Sequence, residues 1–422
     1  MRTHSAAMVI CVLLMVGVVL WSAADDGAES FDVTEHVETL GNPYQSKCPE
    51  GPCVYARNIW DLCAYDGELL IGAGNSSNSG PSPNAGPVPV ISYSPSSGQF
   101  KTVFTVDDEQ IDIFRILDGK AYVPGHDPKE SWELGNFYRL EGDGVWHKYR
   151  NIPNGIHNYD MAFFGGVLFA GLGTQKGAAV AMSRDFGDSW TEVLIPNSRI
   201  YAFIVFKDAL YAAGVIPCEY LLDAFKKKGL NATMGFYQYD FKSGFKTRDD
   251  LTPSRVFPGV VLKTNTYTRV VHPVSFKGKV AYIGAYCHND HQFMPFGAYV
   301  ADTLEEGKVS VRQIQLPQDS RAWDILFDKD TLYVLVDSPD STGTSVRVLA
   351  SNDGLQWTDI MRFHSKTFAR SFALLDGEFY FGLGCEVSDP AKWTMQELPD
   401  ETGHILRVKK GFWDHADSGT GI

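Results

Sequence analysis

The chain has 422 residues, of which 51 are acidic and 37 basic, so its formal net charge at pH 7 is −14. A surface of that charge excludes nucleic acid as the expected partner. The hydrophobic share of 44% excludes a disordered chain, and 40 glycines are typical of many short strands joined by tight turns.

Residues 1–24 have the layout of a secretory signal peptide. Arg2 precedes an apolar run over residues 6–21, and the small residues Ser22-Ala23-Ala24 follow it. The alternative is an uncleaved membrane anchor, but the run is about 16 residues long and a membrane span needs about 20. We therefore expect a secreted, extracellular or periplasmic protein that has no membrane segment after signal cleavage.

Residues 25–56 are predicted to form a loop-rich lead-in that helps to close the fold, and residues 57–422 a single domain. The domain repeats one signal, a turn pair followed by a short apolar run that ends in a small residue. The seven turn pairs are Asp66-Gly67, Asp118-Gly119, Gly165-Gly166, Lys207-Asp208, Lys277-Gly278, Lys329-Asp330 and Asp376-Gly377. Such repeats are typical of propeller blades of roughly 40 to 50 residues. The sequence therefore predicts an all-β, seven-bladed β-propeller of four-stranded antiparallel blades.

A second turn is predicted in every blade. Two of these turns, 183–190 and 351–357, have Asp-box sequences, in which an Asp carboxylate accepts backbone N–H groups and a Trp packs between adjacent sheets. Degenerate versions are predicted at 93–100, 138–146, 239–245, 300–309 and 404–413. We interpret these turns as scaffold, at the end of the propeller opposite any site.

The start of each innermost strand is predicted by counting nine residues back from the second member of each turn pair. The count gives Asn58, Gln110, His157, Arg199, Arg269, Arg321 and Phe368. Because the innermost strands surround the central channel, these side chains should form a ring at one mouth, and its Arg and His members favour an anion-binding site. The alternative is that the Arg residues pair with acids such as Asp61, Asp160 and Asp324.

The second strands end at the same mouth, and there the sequence places further metal-binding or redox-active side chains. A structural zinc or calcium ion could be held by Cys218, Cys287, His288 and His291. A disulfide between Cys218 and Cys287 is the other reading, since six cysteines remain after signal cleavage and exported proteins form disulfides. Cys48 and Cys53 are the easiest local pair.

With His126 after the second strand of blade two, His157 at the start of blade three and Tyr201 one blade later, the chain resembles the propeller polysaccharide lyases that cleave ulvan. The resemblance implies β-elimination at a uronic acid of an anionic polysaccharide. His157 and Tyr201 would then share the proton transfers, and His126 would orient or neutralise. The residues implied to bind the substrate are Arg199, Arg269, Arg321 and Asn58. Some members of that family hold zinc with His and Cys, which suits the Cys287 cluster.

Two other functions stay open. The Asp-box (BNR-like) turns resemble, more distantly, those of sialidases, which implies a glycoside hydrolase with paired carboxylates. Asp61, Asp160 and Asp324 recur six residues before their turns and are the candidates. The third function is a non-catalytic propeller that binds a glycan or a protein. In each case we expect a monomer.

Overall fold

The computed structural model describes residues 31–45, 58–76, 84–174, 178–195, 199–215, 234–261, 267–288, 292–384 and 399–413. Within these ranges the chain is nearly all β, with seven antiparallel blades arranged as a β-propeller, as the sequence predicts. Helical structure in the same ranges consists of α1 (Pro253–Val256), single 3-10 turns at Thr34–His36 and Lys410–Phe412, and one 3-10 residue at Gln45. None of the helices in the described ranges is long and apolar enough to span a membrane.

The first strand, β1 (Val37–Gly41), belongs to the last blade. Blade one contains β2 (Asp61–Tyr65), β3 (Glu68–Gly72), β4 (Val88–Ser94) and β5 (Gln99–Val106). The next segment contains β6 (Asp108–Gln110), β7 (Arg115–Leu117), β8 (Lys120–Pro124), β9 (His126–Pro128), β10 (Leu134–Leu140) and β11 (Trp146–Pro153). Of these, β7, β8, β10 and β11 form blade two, whereas the short strands β9 and β6 extend the inner edge of blade three.

The remaining blades follow in chain order. Blade three contains β12 (His157–Phe164), β13 (Val167–Gly173), β14 (Ala178–Ser183) and β15 (Thr191–Leu194). Blade four contains β16 (Arg199–Phe206), β17 (Ala209–Val215), β18 (Met234–Asp240) and β19 (Gly244–Thr247). Blade five contains β20 (Tyr267–Phe276), β21 (Lys279–His288), β22 (Gln292–Thr303) and β23 (Ser310–Gln313). Blade six contains β24 (Arg321–Asp328), β25 (Thr331–Pro339), β26 (Thr344–Ser351) and β27 (Thr358–Ser365), and blade seven contains β28 (Ala369–Leu375), β29 (Glu378–Leu383) and β30 (Ile405–Val408).

The ring closes through the N-terminal strand. β1 pairs with β30, with Val37 opposite Val408, and so supplies the fourth strand of blade seven. The hairpin predicted at 404–413 is therefore wrong, because β30 is followed by a 3-10 turn and the outer position is already filled. Because β1 is distant from β30 in sequence, this pairing joins the two ends of the chain by hydrogen bonds. It also covers the outer edge of β30.

The small residue that ends each repeated apolar run lets neighbouring blades approach closely. At three such glycines a Cβ would lie 2.7, 3.0 and 2.3 Å from the Cγ2 of an isoleucine in the next blade. The pairs are Gly72 with Ile111, Gly171 with Ile200, and Gly382 with Ile59. Each isoleucine lies eight residues before its own turn, so the repeat seen in the sequence is a blade-to-blade contact.

A substitution at Val33, in the lead-in, tests how much ring closure contributes to stability. Its side chain is fully buried in the core of blades six and seven, and its backbone N–H donates to the Arg362 carbonyl at 2.8 Å. We expect Val33→Asp to lower the free energy of unfolding by about 3 kcal/mol or more, because it buries an unpaired charge. Denaturant unfolding measures this. Glu35→Ala, at an exposed position of the same segment, should have no effect, and equal stability of both variants would contradict the closure.

Candidate functional site

A single inserted residue marks the innermost strands of several blades. In blade three Asn158 pairs with Leu172 and Asp160 pairs with Gly171, so Tyr159 is the inserted residue of a β-bulge. The equivalent residues of blades four, six and seven are Tyr201, Trp323 and Arg370. A bulge turns the inserted side chain out of the normal alternation of a strand. Here it turns the side chain towards the propeller axis.

The inserted residues line a central cavity of about 820 Å³, part of which is open to solvent. Its lining includes the residue seven positions before the turn in all seven blades, namely Trp60, Asp112, Tyr159, Tyr201, Val271, Trp323 and Arg370. Of the ring predicted nine positions before the turn, only Arg269 is part of this lining. The axial position is therefore set by the bulge rather than by the first residue of the strand.

In blades three and six the residue after the bulge is a buried Asp that joins its blade to the next, and Asp61 makes the same kind of contact in blade one. The Asp61, Asp160 and Asp324 carboxylates accept backbone N–H groups from the next blade at 2.6, 2.7 and 3.1 Å. The donors are Phe114, Phe203 and Phe372. In a regular strand, the side chains eight and six residues before the turn would both face the same adjacent blade. The bulge between them makes them face the blades on opposite sides.

These aspartates are the carboxylates proposed above for a sialidase-type hydrolase. Asp61 and Asp324 are not among the residues that line the cavity, and burial raises the pKa of Asp61 to about 7. Asp160 does line it, but Arg115 holds its carboxylate with two hydrogen bonds, from Nε to Oδ1 at 2.7 Å and from Nη2 to Oδ2 at 3.0 Å. The hydrogen bonds of all three carboxylates therefore join neighbouring blades.

Two Asp–His pairs lie where β9 joins blade three. β9 places His126 directly opposite His157 of β12. The Nδ1 of His126 contacts the Asp112 carboxylate, and the Nδ1 of His157 contacts Oδ1 of Asp127. His126 Nε2 lies 3.7 Å from Oδ2 of Asp127, so this carboxylate faces both rings. Asp127 has a positive φ of 61°, a strained backbone of the kind that is frequent at functional sites.

The two histidines differ in charge at neutral pH. Burial works to lower the pKa of His126, but the Asp112 and Asp127 carboxylates outweigh it and raise the pKa to about 9. Burial lowers the pKa of His157 below its ordinary value of 6.5, and its contact with Asp127 only partly opposes the change. His126 is therefore protonated and His157 neutral, which makes one an electrostatic partner for an anion and the other a base.

The same cluster has the spacing of a metal site. The donor atoms of His126, Asp127 and His157 lie within 4.8 Å of one another. A metal ion needs histidine as the neutral imidazole. Metal binding here would therefore require His126 to lose the proton that the Asp112 and Asp127 carboxylates stabilise.

Two tyrosines connect the histidines to the cavity. The Tyr159 ring centroid lies 5.4 Å from that of His157 and 4.1 Å from that of Tyr201. Arg199 Nη1 donates to the Tyr159 hydroxyl at 3.3 Å, and the Arg269 guanidinium lies 3.4 Å from the Tyr201 ring centroid. Burial raises the pKa of Tyr159, and the two tyrosine hydroxyls raise the pKa of Arg199 against the opposing effect of its burial.

The structure thus brings together five of the sequence candidates, namely His126, His157, Tyr201, Arg199 and Arg269. Other members of the predicted ring have different surroundings. Arg321 donates to both oxygens of Asp337, from Nε at 3.0 Å and from Nη2 at 2.6 Å. Asn58 is 1% exposed, and Gln110 lies in β6 instead of starting blade two, which begins at Arg115.

The candidate metal or disulfide residues fall largely outside the described part of the chain. Cys218 and His291 are outside it, as are the side chains of Cys287 and His288, and so are Cys48 and Cys53. Cys63, which the structure does describe, is a free thiol whose pKa is raised by burial. The zinc or calcium site and the disulfides therefore stay predictions.

The count of nine residues before the turns missed four side chains that line the cavity: Asp112, Tyr159, Arg115 and Arg370. Three of them could have been found in the sequence. Seven residues before the turns, aromatic or charged side chains occur in six of seven blades. The prediction used the position nine residues before each turn and so did not include this pattern.

No protein-family model matches the sequence, and no curated protein matches it. Solved structures with a similar fold include a chain of a mitotic checkpoint complex, at 11% identity over 91% of this chain and 96% of that chain, with a TM-score of 0.48. Hydrazine synthase of Kuenenia stuttgartiensis matches at 11% identity over 78% and 93%, with a TM-score of 0.49. An ancestral GH74 enzyme matches at 10% identity over 84% and 48%, with a TM-score of 0.46. At these identities the likeness is one of fold alone.

The Arg115–Asp160 pair predicts a specific pattern of stability changes. Asp160 is 1% exposed at its side chain, so Asp160→Asn should leave the largely buried Arg115 without its counter-charge. We expect a loss of about 3 to 5 kcal/mol in the free energy of unfolding, measured by denaturant titration. The double variant Asp160→Asn, Arg115→Met should recover part of that loss. A double variant as unstable as the sum of the two single variants would contradict the coupling.

Proposed function

We propose that the protein is a secreted carbohydrate-active enzyme that cleaves an anionic, uronic-acid-containing polysaccharide by β-elimination. The observation that carries this proposal is the pairing of a neutral histidine with a charged one beside a tyrosine and two arginines. β-Elimination needs these three functions: a base for the proton on C5, a positive charge for the uronate carboxylate, and an acid for the leaving oxygen.

His157 is the proposed base. Its contact with Asp127 engages Nδ1, which leaves the Nε2 lone pair for the proton, in the arrangement by which a carboxylate orients a catalytic imidazole. As His157 takes the C5 proton, the electron pair of that bond forms the C4–C5 double bond and the C4–O bond breaks. The Tyr201 hydroxyl gives its proton to the departing oxygen, and exchange with water restores both groups.

Charge neutralisation is assigned to His126, Arg199 and Arg269. Removal of a proton next to a carboxylate puts negative charge on that carboxylate, and preorganised cations stabilise it in a site shielded from water. His126 is held in its charged form by Asp112, and Arg269 lies against the ring of Tyr201. A role limited to glycan binding would not require a neutral base beside these cations, which is why we favour catalysis.

Substitution of the proposed acid/base pair tests the reaction. We expect His157→Ala and Tyr201→Phe each to lower kcat by roughly 10²- to 10⁴-fold, the usual contribution of a general acid or base. The assay follows the absorbance of the unsaturated uronate product. His147→Ala is the matched control, because this histidine lies on the exposed outer strand of blade two, and it should keep the wild-type rate. A wild-type rate in both site variants would contradict the assignment.

The unequal histidine charges predict a bell-shaped dependence of kcat/KM on pH. Activity should rise with pH as His157 loses its proton, with a midpoint below 6.5 because its pKa is lowered. Activity should fall again near pH 9, where His126 loses the proton that its two carboxylates retain. His126→Gln should lower the rate and remove the alkaline fall. An unchanged alkaline limb in that variant would show that another group titrates there.

A further inference from the structure

A group of buried side-chain oxygens lies where the short strands β6 and β9 meet blades two and three. It consists of Asp108 in β6, Asn136 in β10 and Asn158 in β12, and all three residues are 0% exposed. The Oδ1 atom of each accepts no hydrogen bond within the part of the chain that the structure describes. Because buried polar atoms without a partner are rare in proteins, three of them in one place indicate a ligand.

Gly125, between β8 and β9, connects the three residues. A Cβ at this position would lie 2.9 Å from Oδ1 of Asp108 and 2.8 Å from Cβ of Asn136. The Gly125 N–H donates to the Asn136 carbonyl at 3.0 Å, and the Gly125 carbonyl accepts the Asn158 N–H at 2.9 Å. The three side chains therefore surround one residue, which has no side chain of its own to fill the space between Asp108 and Asn136.

Hydrogen bonds fix the orientation of the two amides and of the carboxylate. Asn136 Nδ2 donates to Oδ2 of Asp108 at 3.0 Å, and Asn158 Nδ2 donates to the Asn136 carbonyl at 3.3 Å. Turning either amide round would place one oxygen against another. The Tyr138 hydroxyl also donates to Oδ2 of Asp108, so Oδ1 is the remaining acceptor of this carboxylate. These contacts leave three oxygen acceptors.

The charge of Asp108 is also poorly compensated. Lys148 is nearby, but its Nζ pairs with Asp107 and Glu130 at 2.7 Å each. Burial raises the pKa of Asp108 to about 6, although Tyr138 donates to the carboxylate. A buried carboxylate in these surroundings is stabilised by a positive ion that binds to it directly.

We infer that Oδ1 of Asp108, Asn136 and Asn158 are ligands of a metal cation that prefers oxygen, either Ca²⁺ or Na⁺. Carboxylate and amide oxygens are the protein ligands that such hard cations take, and water molecules would complete the coordination. A single water molecule donates only two hydrogen bonds and so cannot satisfy three acceptors. This site is separate from the histidine cluster, whose imidazole nitrogens suit a transition metal, and it does not rest on the proposed function.

The cation would hold the two short strands in place. Asp108 belongs to β6, Asn136 to blade two and Asn158 to blade three, so an ion bound to all three would join three separate parts of the sheet structure. β6 pairs in turn with β9, with Gln110 opposite His126. Loss of the cation should therefore destabilise the segment that carries His126.

Thermal unfolding of the EDTA-treated protein tests the site independently of turnover. The protein is kept in choline chloride, and CaCl₂ or NaCl replaces part of it at constant ionic strength. We expect a rise of roughly 3 to 6 °C in the unfolding midpoint at a saturating concentration of the cation that binds. Asp108→Asn should abolish the rise. Asp107→Asn is the matched control, because this partly exposed carboxylate pairs with Lys148, and it should keep the rise.

Equilibrium dialysis gives a second measurement that does not require a variant to fold. We expect one ion bound per wild-type chain, and Asn158→Ala, which keeps the carboxylate, should bind it roughly 10-fold more weakly.

The two salts separate the possible ligands. A rise with CaCl₂ would identify a Ca²⁺ site, and a rise with NaCl alone a Na⁺ site. An unfolding midpoint that neither salt changes, no bound ion in dialysis, or a rise that Asp108→Asn retains would overturn the inference and favour buried water. Because no assay here follows lyase activity, failure of the proposed function would leave the cation site unaffected.

Discussion

The bulge near the start of the innermost strands controls both the packing of the blades and the shape of the cavity. The side chain before the inserted residue packs against the preceding blade, as Ile200 does against Gly171, and in blades three and six the residue after it is a buried Asp that accepts a backbone N–H of the following blade. In a regular strand these two side chains would face the same neighbour. The inserted residue between them faces the axis, so one local irregularity links neighbouring blades and fills the centre of the ring.

The chemistry of the site comes from a local exception to the propeller repeat. The strand β6 lies between blades one and two, and β9 lies between β8 and β10 of blade two; both add to the inner edge of blade three. This extension brings Asp112, His126 and Asp127 to the start of β12. Two histidines that are both largely buried then differ in protonation, because His126 faces two carboxylates whereas His157 faces one. Environment, rather than residue type, separates their roles.

The repeat in the sequence was sufficient to predict the fold, the blade number and most hairpins, because each turn pair and apolar run belongs to one blade. It could not predict the last hairpin, since the partner of β30 is β1, at the opposite end of the chain. The site was predicted only in part. His126, His157 and Tyr201 follow from positions near strand ends. Tyr159, Asp112 and Arg370 lie seven residues before their turns and were not selected, because counting nine residues assumes that the first residue of a regular strand faces the axis, whereas the tertiary structure sets which residue does so.

The most direct test of this account is a crystal structure of the Tyr201→Phe variant with a uronate oligosaccharide bound. We predict one sugar carboxylate within hydrogen-bonding distance of His126 and Arg269, with C5 of that sugar near Nε2 of His157. An oligosaccharide bound away from both the central cavity and the adjacent His126 and His157, or one whose carboxylate faces away from these groups, would contradict the account.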